Sequence, residues 1–432
     1  MTAIAPIPSP RPADQAAARS LVARTVPLDL PQRPDLVSLA GDDGLLFAGP
    51  DGGLAGRGAA LVIDLPGGLG DLGAADTVAD ALAAIATDDE LRLPGCGPVA
   101  IGALPFERDR PSRLVVPRVL VGVDATGQAW LTTVGEGEAP RLGLDALSPP
   151  APRPSPDSFT LRSGQSHAEW CEMVAAAVDA VQGGPASGMD KVVLAREVVV
   201  EANRPIHPST VLARLRSLYP SCMLFCVDGY LGASPELLVS RMGHAVRSHP
   251  LAGTIAHSGD PAVDQAMAAG LLASAKERHE HRVVVEAVAA ALAPLCEDLA
   301  VPDSPTIVTL RNVSHLGTLV TGTLHGEPPP DALSLLARLH PTPAVGGVPS
   351  ADALAYIRAV EPFDRGPYAG PVGWMDARGD GVWAVGIRSA SVSGSTARLV
   401  AGVGIVADSV PEAELAETQL KLQALLAAVV RP

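Results

Sequence analysis

A few charged side chains in this chain sit where the surrounding apolar pattern gives them no ordinary place. In KERHEHRVVVEAVAAAL (276–292), Glu280 falls on the same stripe as Val284, Ala287 and Ala291, because residues three, four and seven apart share a helix face. A carboxylate there is costly unless it is paired or bound to a metal. Near the C-terminus, Leu415, Leu422, Leu425, Leu426 and Val429 form an apolar face, and Glu414, Glu417 and Lys421 line its border. Taken singly, each helix also fits a solvated charged flank, with a Glu–Lys pair four residues apart worth a few tenths of a kcal/mol. In GVWAVGIRSA (381–390), strand alternation places Val382, Ala384, Gly386 and Arg388 on one face. The partner strand of this expected hairpin carries Gly402 and Gly404, so backbone could approach a ligand there. An Arg directed into such a space can grip a carboxylate with two prongs, and a structural salt bridge would use the same Arg. Lys191 opens the apolar strand KVVLAREVVV (191–200), and Glu236 follows Pro235 at the start of PELLVSR (235–241). Edge-strand charges that block aggregation would account for both.

The chain contains no GxxxxGK[ST] phosphate loop, no HExxH and no GxSxG. The GxG of Gly402 and Gly404 is too short for a dinucleotide fingerprint and comes from a strand. With 32 Lys and Arg against 47 Asp and Glu the net charge is −15, which argues against nucleic-acid binding, an interaction built on clustered basic side chains. An acidic protein that binds an anion must supply Arg, amides or a metal locally. The five cysteines (96, 171, 222, 226 and 296) imply no disulfide framework. Cys222 and Cys226 lie in an apolar run without a CxxC partner and read as small buried hydrophobes. MTAIAPIPSPRP is not a secretory signal, and no apolar run approaches the ~20 residues of a membrane span. A soluble, cytoplasmic protein is expected.

The elements that would position these residues are mixed. Of 432 residues, 47% are apolar, enough for a sizeable core, and 43 Gly with 41 Pro imply many turns. Residues 1–25 are expected to be disordered, with order beginning near Val26. Up to Leu147, AALVID (59–64), VAIGALPF (99–106) and RVLVGVD (118–124) read as antiparallel sheet, and TVADALAAIA (77–86) as a helix. The Pro-dense segment 148–157 marks a boundary or a long surface crossing. Ser166 and Glu169 form a capping box for a helix closed by Gly183 and Gly184. Residues 191–200, 222–230 and 235–241 are β-rich, and 262–293 are expected to be helical throughout. Residues 381–392 and 397–406 form a hairpin turning at Ser393–Ser395, and a last helix runs from about Pro411 to Val429, capped by Ser409 and Glu412. Without repeated βαβ units this order favours an α+β fold over a doubly wound sheet.

Taken together, the motifs resemble those of the chorismate-utilising enzymes, and within them the isochorismate synthases. KVVLARE (191–197), ASPELLVSR (233–241), PLAGT (250–254), AKERHEH (275–281), HPTPAVGG (340–347), EPFDRGPYAGPVGW (361–374), IRSA (387–390), AGVGIVADS (401–409) and ExxETxxK (414–421) occur in the family's order. The N-terminal third matches mainly through GALPFE (102–107). The resemblance implies two packed halves of antiparallel sheet wrapped by helices, with 26–157 a β-rich part of the same fold and 158–432 the chorismate-binding catalytic domain. It implies a Mg²⁺-dependent central cleft. There Lys191 resembles the base that activates water, and Glu236 the acid that protonates the departing hydroxyl. Glu280 and Glu417 resemble the Mg²⁺ ligands, with Glu277 and Glu414 as nearby or water-mediated supports. Gly253 and Thr254 match the segment near the ring carboxylate, Tyr368, Arg388 and Gly402 the positions that hold the enolpyruvyl carboxylate, and Lys421 the residue beside the metal. His315, in NVSHLGT (312–318), falls in another active-site segment.

These assignments agree with elementary chemistry. Chorismate is a dianion, and a metal between helical carboxylates would supply the positive charge an acidic chain lacks; Mg²⁺ takes oxygen ligands and keeps waters. Water addition at C2 with loss of the C4 hydroxyl needs one base and one acid, so Lys191 should be depressed from the usual ammonium range and Glu236 raised. Family members that add ammonia generally lack Lys at the position of Lys191, and the aminodeoxychorismate branch often carries Lys where this chain has Ala252. Salicylate synthases, which go on to eliminate pyruvate, tend to carry Thr at the position of Ala344. An isochorismate synthase that needs no glutaminase subunit is therefore expected. A salicylate synthase, an anthranilate-synthase-like subunit and a non-catalytic regulatory paralogue are the alternatives, the last disfavoured because all four charged catalytic positions are present.

Overall fold

The computed structural model describes residues 20–140, 154–183 and 188–430. Most of the expected disordered N-terminus, the greater part of the Pro-dense connector and Gly184 lie outside the described residues. The strands are woven into two runs. The longer begins at Phe159–Ser163 and passes through Lys191–Ala202, Thr396–Ile405, Ser389–Ser393, Tyr230–Ser234 and Met223–Val227. It continues through Leu45–Gly49, Gly52–Leu65, Ser112–Val123 and Ala129–Glu136 to Leu21–Leu28 and Ala86–Asp89. The second run is Val99–Ala103, Pro371–Asp376, Gly381–Val385, Leu237–Met242, Ala245–His249, Val320–Leu324 and Cys296–Ala300. Both are antiparallel except where Leu21–Leu28 meets Ala86–Asp89, as the α+β reading requires. Ile101 pairs with Val115 to join the two runs.

The runs pack face to face on Phe47, Leu54 and Phe225 from one side and Ile101, Val372 and Trp374 from the other. Helices cover the outer faces. Pro208–Leu218 and Pro411–Val429 pack against the first run with Leu212, Leu422 and Leu425. Ala332–Leu339 packs against the second with Leu333 and Leu336. A small three-stranded sheet, Leu251–Ala256, Val313–Gly317 and Thr306–Thr309, stands beside the helix Ala275–Leu292. No helix among the described residues is long and apolar enough to cross a membrane.

Several local expectations need correction. A strand already runs over Leu21–Leu28, ahead of the expected Val26, because it pairs along its whole length with Ala129–Glu136; Arg24 and Pro27 obscure its pattern. The helix expected over 77–86 is Ala74–Ala83. The segment 222–230 is a strand, a turn with Asp228 at φ 50°, and the start of a second strand. The helical stretch 262–293 is broken at Ser274, whose hydroxyl accepts from the Glu277 N–H at 3.3 Å and starts a new helix. The last helix has Val410 at its N-cap and no side-chain cap; Ser409 instead accepts from the Val406 N–H at 3.2 Å. The segment 381–392 is interrupted, as Gly381–Val385 and Ser389–Ser393 belong to different runs. Arg388 has φ 52°, so strand alternation does not set its direction. The capping box of Ser166 and Glu169 forms as expected, the hydroxyl accepting at 3.2 Å and the carboxylate at 2.7 Å.

That helix, His167–Gln182, is anchored by Trp170, which is wholly buried. Trp170→Ala should destabilise the protein by about 3–5 kcal/mol through lost burial and the cavity left behind, read from the urea midpoint. A shift below about 1 kcal/mol would contradict the packing described.

Candidate active site

Two strand breaks make the site. Tyr230–Ser234 lies in the first run and Leu237–Met242 in the second, so the chain changes sheet at Pro235 and Glu236. Its neighbour does the same between Val385 and Ser389. The two crossings are laced together where the Val385 N–H donates to the Glu236 carbonyl at 3.1 Å and the Ala233 N–H to the Arg388 carbonyl at 3.1 Å. Ladder pairing gives way here, and side chains that would otherwise alternate above and below a sheet turn into the opening.

A cleft of about 1010 Å³, its mouth included, opens at this seam. Every residue singled out from the sequence lines it: Lys191, Glu236, Gly253, Thr254, Glu277, Glu280, His315, Ala344, Tyr368, Arg388, Gly402, Glu414, Glu417 and Lys421. The sequence reading missed Arg365, Lys276 and Ser409, which also line it. Arg365 and Glu361 are spaced i,i+4 within EPFDR, a signal that could have been read as a pair.

Lys191 and Glu236 are only 5% and 4% exposed, so neither is an edge-strand charge. The Lys191 ammonium donates to Glu280 Oε1 at 2.7 Å. Gly404 makes room for this pair, since a Cβ there would lie 2.8 Å from Lys191 Cε and 3.1 Å from Glu280 Oε1. Burial raises Glu236 from the usual carboxyl range to about 7, against the opposing pull of a Leu251 N–H and of Lys191, Arg388 and Lys421. Burial lowers His315 well below the ordinary imidazole range, helped by Arg388 and Lys421. The ring is therefore neutral. Because Arg388 Nη2 lies 3.2 Å from its Nε2 and can only donate, the proton sits on Nδ1, which meets Thr254 Oγ1 at 3.0 Å and the Gly253 carbonyl at 3.3 Å. Burial likewise raises Tyr368 to about 12, and the Gly402 N–H donates to its hydroxyl oxygen. Lys421 bridges the Gly402 carbonyl at 3.0 Å and Glu417 Oε1 at 2.6 Å. The i,i+4 pair of the plain reading thus exists, but inside the cleft.

Glu277 and Glu280 come from one helix and Glu414 and Glu417 from another. Burial, then Glu280 and Glu417, raise Glu277. Burial and Glu417 raise Glu414 to about 7 despite its hydrogen bond with Ser409. Glu280 is pushed up by burial but held low overall by Lys191 and Lys421. Glu277, Glu280, Glu414 and Glu417 are an all-oxygen donor set whose mutual repulsion a divalent cation would relieve, and Mg²⁺ takes one or two such carboxylates while keeping waters. Among the described residues no preassembled cage of three or more ligating side chains occurs, and the two lysines hold Glu280 and Glu417 instead.

Residues 54–430 match the family of chorismate binding enzymes, and the chain belongs to that family; it is an enzyme acting on chorismate. The chain is 39% identical over 343 residues to isochorismate synthase DhbC of Bacillus subtilis, covering 77% of this chain and 81% of that protein. It is 45% identical over 271 residues to the salicylate biosynthesis isochorismate synthase of Pseudomonas aeruginosa, covering 61% and 55%. Among solved structures, MenF, the menaquinone-specific isochorismate synthase of Escherichia coli, superposes with a TM-score of 0.80 at 26% identity, covering 96% of this chain and 95% of that one.

The buried Glu236 generates a stability prediction. A carboxyl held near 7 in the folded protein and near 4.5 in the unfolded chain keeps its proton longer when folded, so the stability it confers is complete below 4.5 and is lost as pH rises through 7. Relative to Glu236→Gln, the wild type should lose roughly 1–3 kcal/mol between those limits, measured by denaturant unfolding at each pH. A pH-independent difference would place Glu236 in water.

Proposed function

We propose that this enzyme is an isochorismate synthase, joining water oxygen to C2 of chorismate while the C4–oxygen bond breaks and the ring double bond shifts. One observation carries the reading: a buried amine, Lys191, and a buried carboxyl raised to about 7, Glu236, line the same cleft. Lys191 takes the proton from the attacking water, and Glu236 gives its proton to the departing hydroxyl, so substrate and product are isomers. Glu236 is suited to that role because near neutral pH it still holds a proton for part of the time. Lys191 is paired with Glu280 as an ammonium, and must lose a proton before it can take one from water.

Arg388, oriented by neutral His315, and the Tyr368 hydroxyl receive the enolpyruvyl carboxylate, while Gly253 and Thr254 border the ring carboxylate. The bulge at Gly253 within Leu251–Ala256, with φ 75°, brings backbone rather than side chain to that wall. Glu280 and Glu417 would hold Mg²⁺, supported by Glu277 and Glu414, and the bound cation would neutralise the ring carboxylate. The relatives support this branch of the family because they bear the isochorismate synthase name. Lys191 and Ala252 favour water over ammonia, so no glutaminase partner is required. Ala344 offers only a methyl group at the cleft wall, which favours stopping at isochorismate over pyruvate elimination. A small polar dianion as substrate fits an enzyme of the cytoplasm.

The test is incubation with chorismate and Mg²⁺ followed by chromatographic identification of the product. Isochorismate should dominate, even with ammonium added at alkaline pH, and excess chelator should abolish turnover until Mg²⁺ is restored. Anthranilate, stoichiometric salicylate or full activity in chelator would each contradict the reading.

Lys191→Ala and Glu236→Ala should each lower kcat by roughly 10²–10⁴-fold while both proteins remain folded. A near-wild-type kcat in either variant would remove that residue from the chemistry.

A further inference from the structure

The strand that begins with Lys191 has one edge paired along its length by Thr396–Ile405. Its other edge is served by Gly347 and Val348 opposite Val192 and Lys191, and by Phe159–Ser163 opposite Val198–Ala202. Between those two stretches, among the described residues, the ladder has no strand. Two side chains complete it. Arg365 Nη2 donates to the Val193 carbonyl at 2.6 Å, and Glu361 Oε1 accepts from the Ala195 N–H at 2.8 Å. These are the carbonyl and amide that a neighbouring strand would engage. The same two residues are joined by Nε to Oε2 at 2.8 Å and Nη2 to Oε1 at 2.6 Å, with side chains 3% and 2% exposed.

The remaining arm of the guanidinium, Nη1, donates to the Val345 carbonyl at 3.0 Å, and its face lies 4.3 Å from the centre of the Phe106 ring. One rigid, planar group therefore ties the wall that carries Lys191 to the turn that carries Ala344. Both walls border the cleft, and Arg365 itself lines it.

We propose that Arg365 and Glu361 are positioning residues that stand in for a missing strand and set the distance between Lys191 and the Ala344 turn, and so govern both the rate of water addition and the retention of the enolpyruvyl group. This inference rests on the proposed function, in which Lys191 is the base and Ala344 borders the side chain. Lysine at 365 keeps the charge opposite Glu361 but offers one tetrahedral ammonium, which cannot hold two carbonyls and a carboxylate in one plane. A displacement of about 1 Å at such a wall is enough to cost a large factor in rate.

Arg365→Lys is compared with the wild-type enzyme under saturating Mg²⁺, reading chorismate consumption, pyruvate released per chorismate consumed and hydrogen exchange at the Ala195 amide. Glu361→Gln keeps the shape and an acceptor oxygen for the Ala195 N–H while weakening the grip on the guanidinium, and supplies the same comparison should Arg365→Lys not fold. Expected are a fall in kcat of at least about tenfold with KM within about threefold, a rise of about twofold or more in pyruvate per chorismate, and faster exchange at Ala195. Folded variants whose kcat and pyruvate ratio match the wild type would overturn the proposal and leave the pair as a stabilising contact. Because turnover is read as loss of chorismate, a wild-type product other than isochorismate would overturn the proposed function while kcat still decides the positioning role.

Discussion

The crossing of two adjacent strands from one sheet to the other is the constraint on which the rest of this structure depends. Where the chain changes sheet at Pro235–Glu236 and again between Val385 and Ser389, regular pairing must lapse and backbone must bend. The left-handed conformation of Arg388 is one result; such a conformation costs about 1–2 kcal/mol for a side-chain-bearing residue. Its carbonyl is anchored by the Ala233 N–H across the seam, so the surrounding ladder holds the bend in place. Side chains that enter this seam are largely withdrawn from water, as Lys191, Glu236 and His315 are, and that burial governs their chemistry.

Electrostatic balance follows from that burial. Burial raises Glu236, Glu277 and Glu414, while Lys191 and Lys421 hold Glu280 and Glu417 as ion pairs. Replacing a lysine in such a place would leave a buried carboxylate without a partner, which costs more than the pair contributes when formed. Neutral His315 passes the fixed orientation of Thr254 on to Arg388 through hydrogen bonds at both ring nitrogens. A strongly acidic protein thus lines its cleft with five basic side chains against five carboxylates, so charge at the site is decoupled from charge over the whole chain.

Much of this could be read from residue types and order. The stripe of Val284, Ala287 and Ala291 marked Glu280 as out of place, and the border of the last helix marked Glu414, Glu417 and Lys421, because helical periodicity is local and survives without tertiary context. The Ser166–Glu169 cap was legible for the same reason. The break at Ser274 was not, because a Ser-x-x-Glu pattern inside a long helical run reads as either interior or cap until packing decides. The interruption at 386–388 was also hidden: IRSA continues an apolar alternation, and only the transfer of Ser389–Ser393 to another sheet breaks it.

The sequence by itself determined the kinds of groups available, the α+β order and, through motifs in family order, membership among the chorismate binding enzymes. Those properties reside in side-chain chemistry and short-range spacing, which a linear string preserves. Only the tertiary structure decided which of these groups meet. Lys191 and Glu280 lie 89 residues apart and approach to 2.7 Å, and Arg365 reaches Val193 across 172 residues. Whether a carboxylate is a solvated flank or a buried acid depends on how much water the fold excludes around it. For Glu236 that exclusion comes from two sheets closing over one bend.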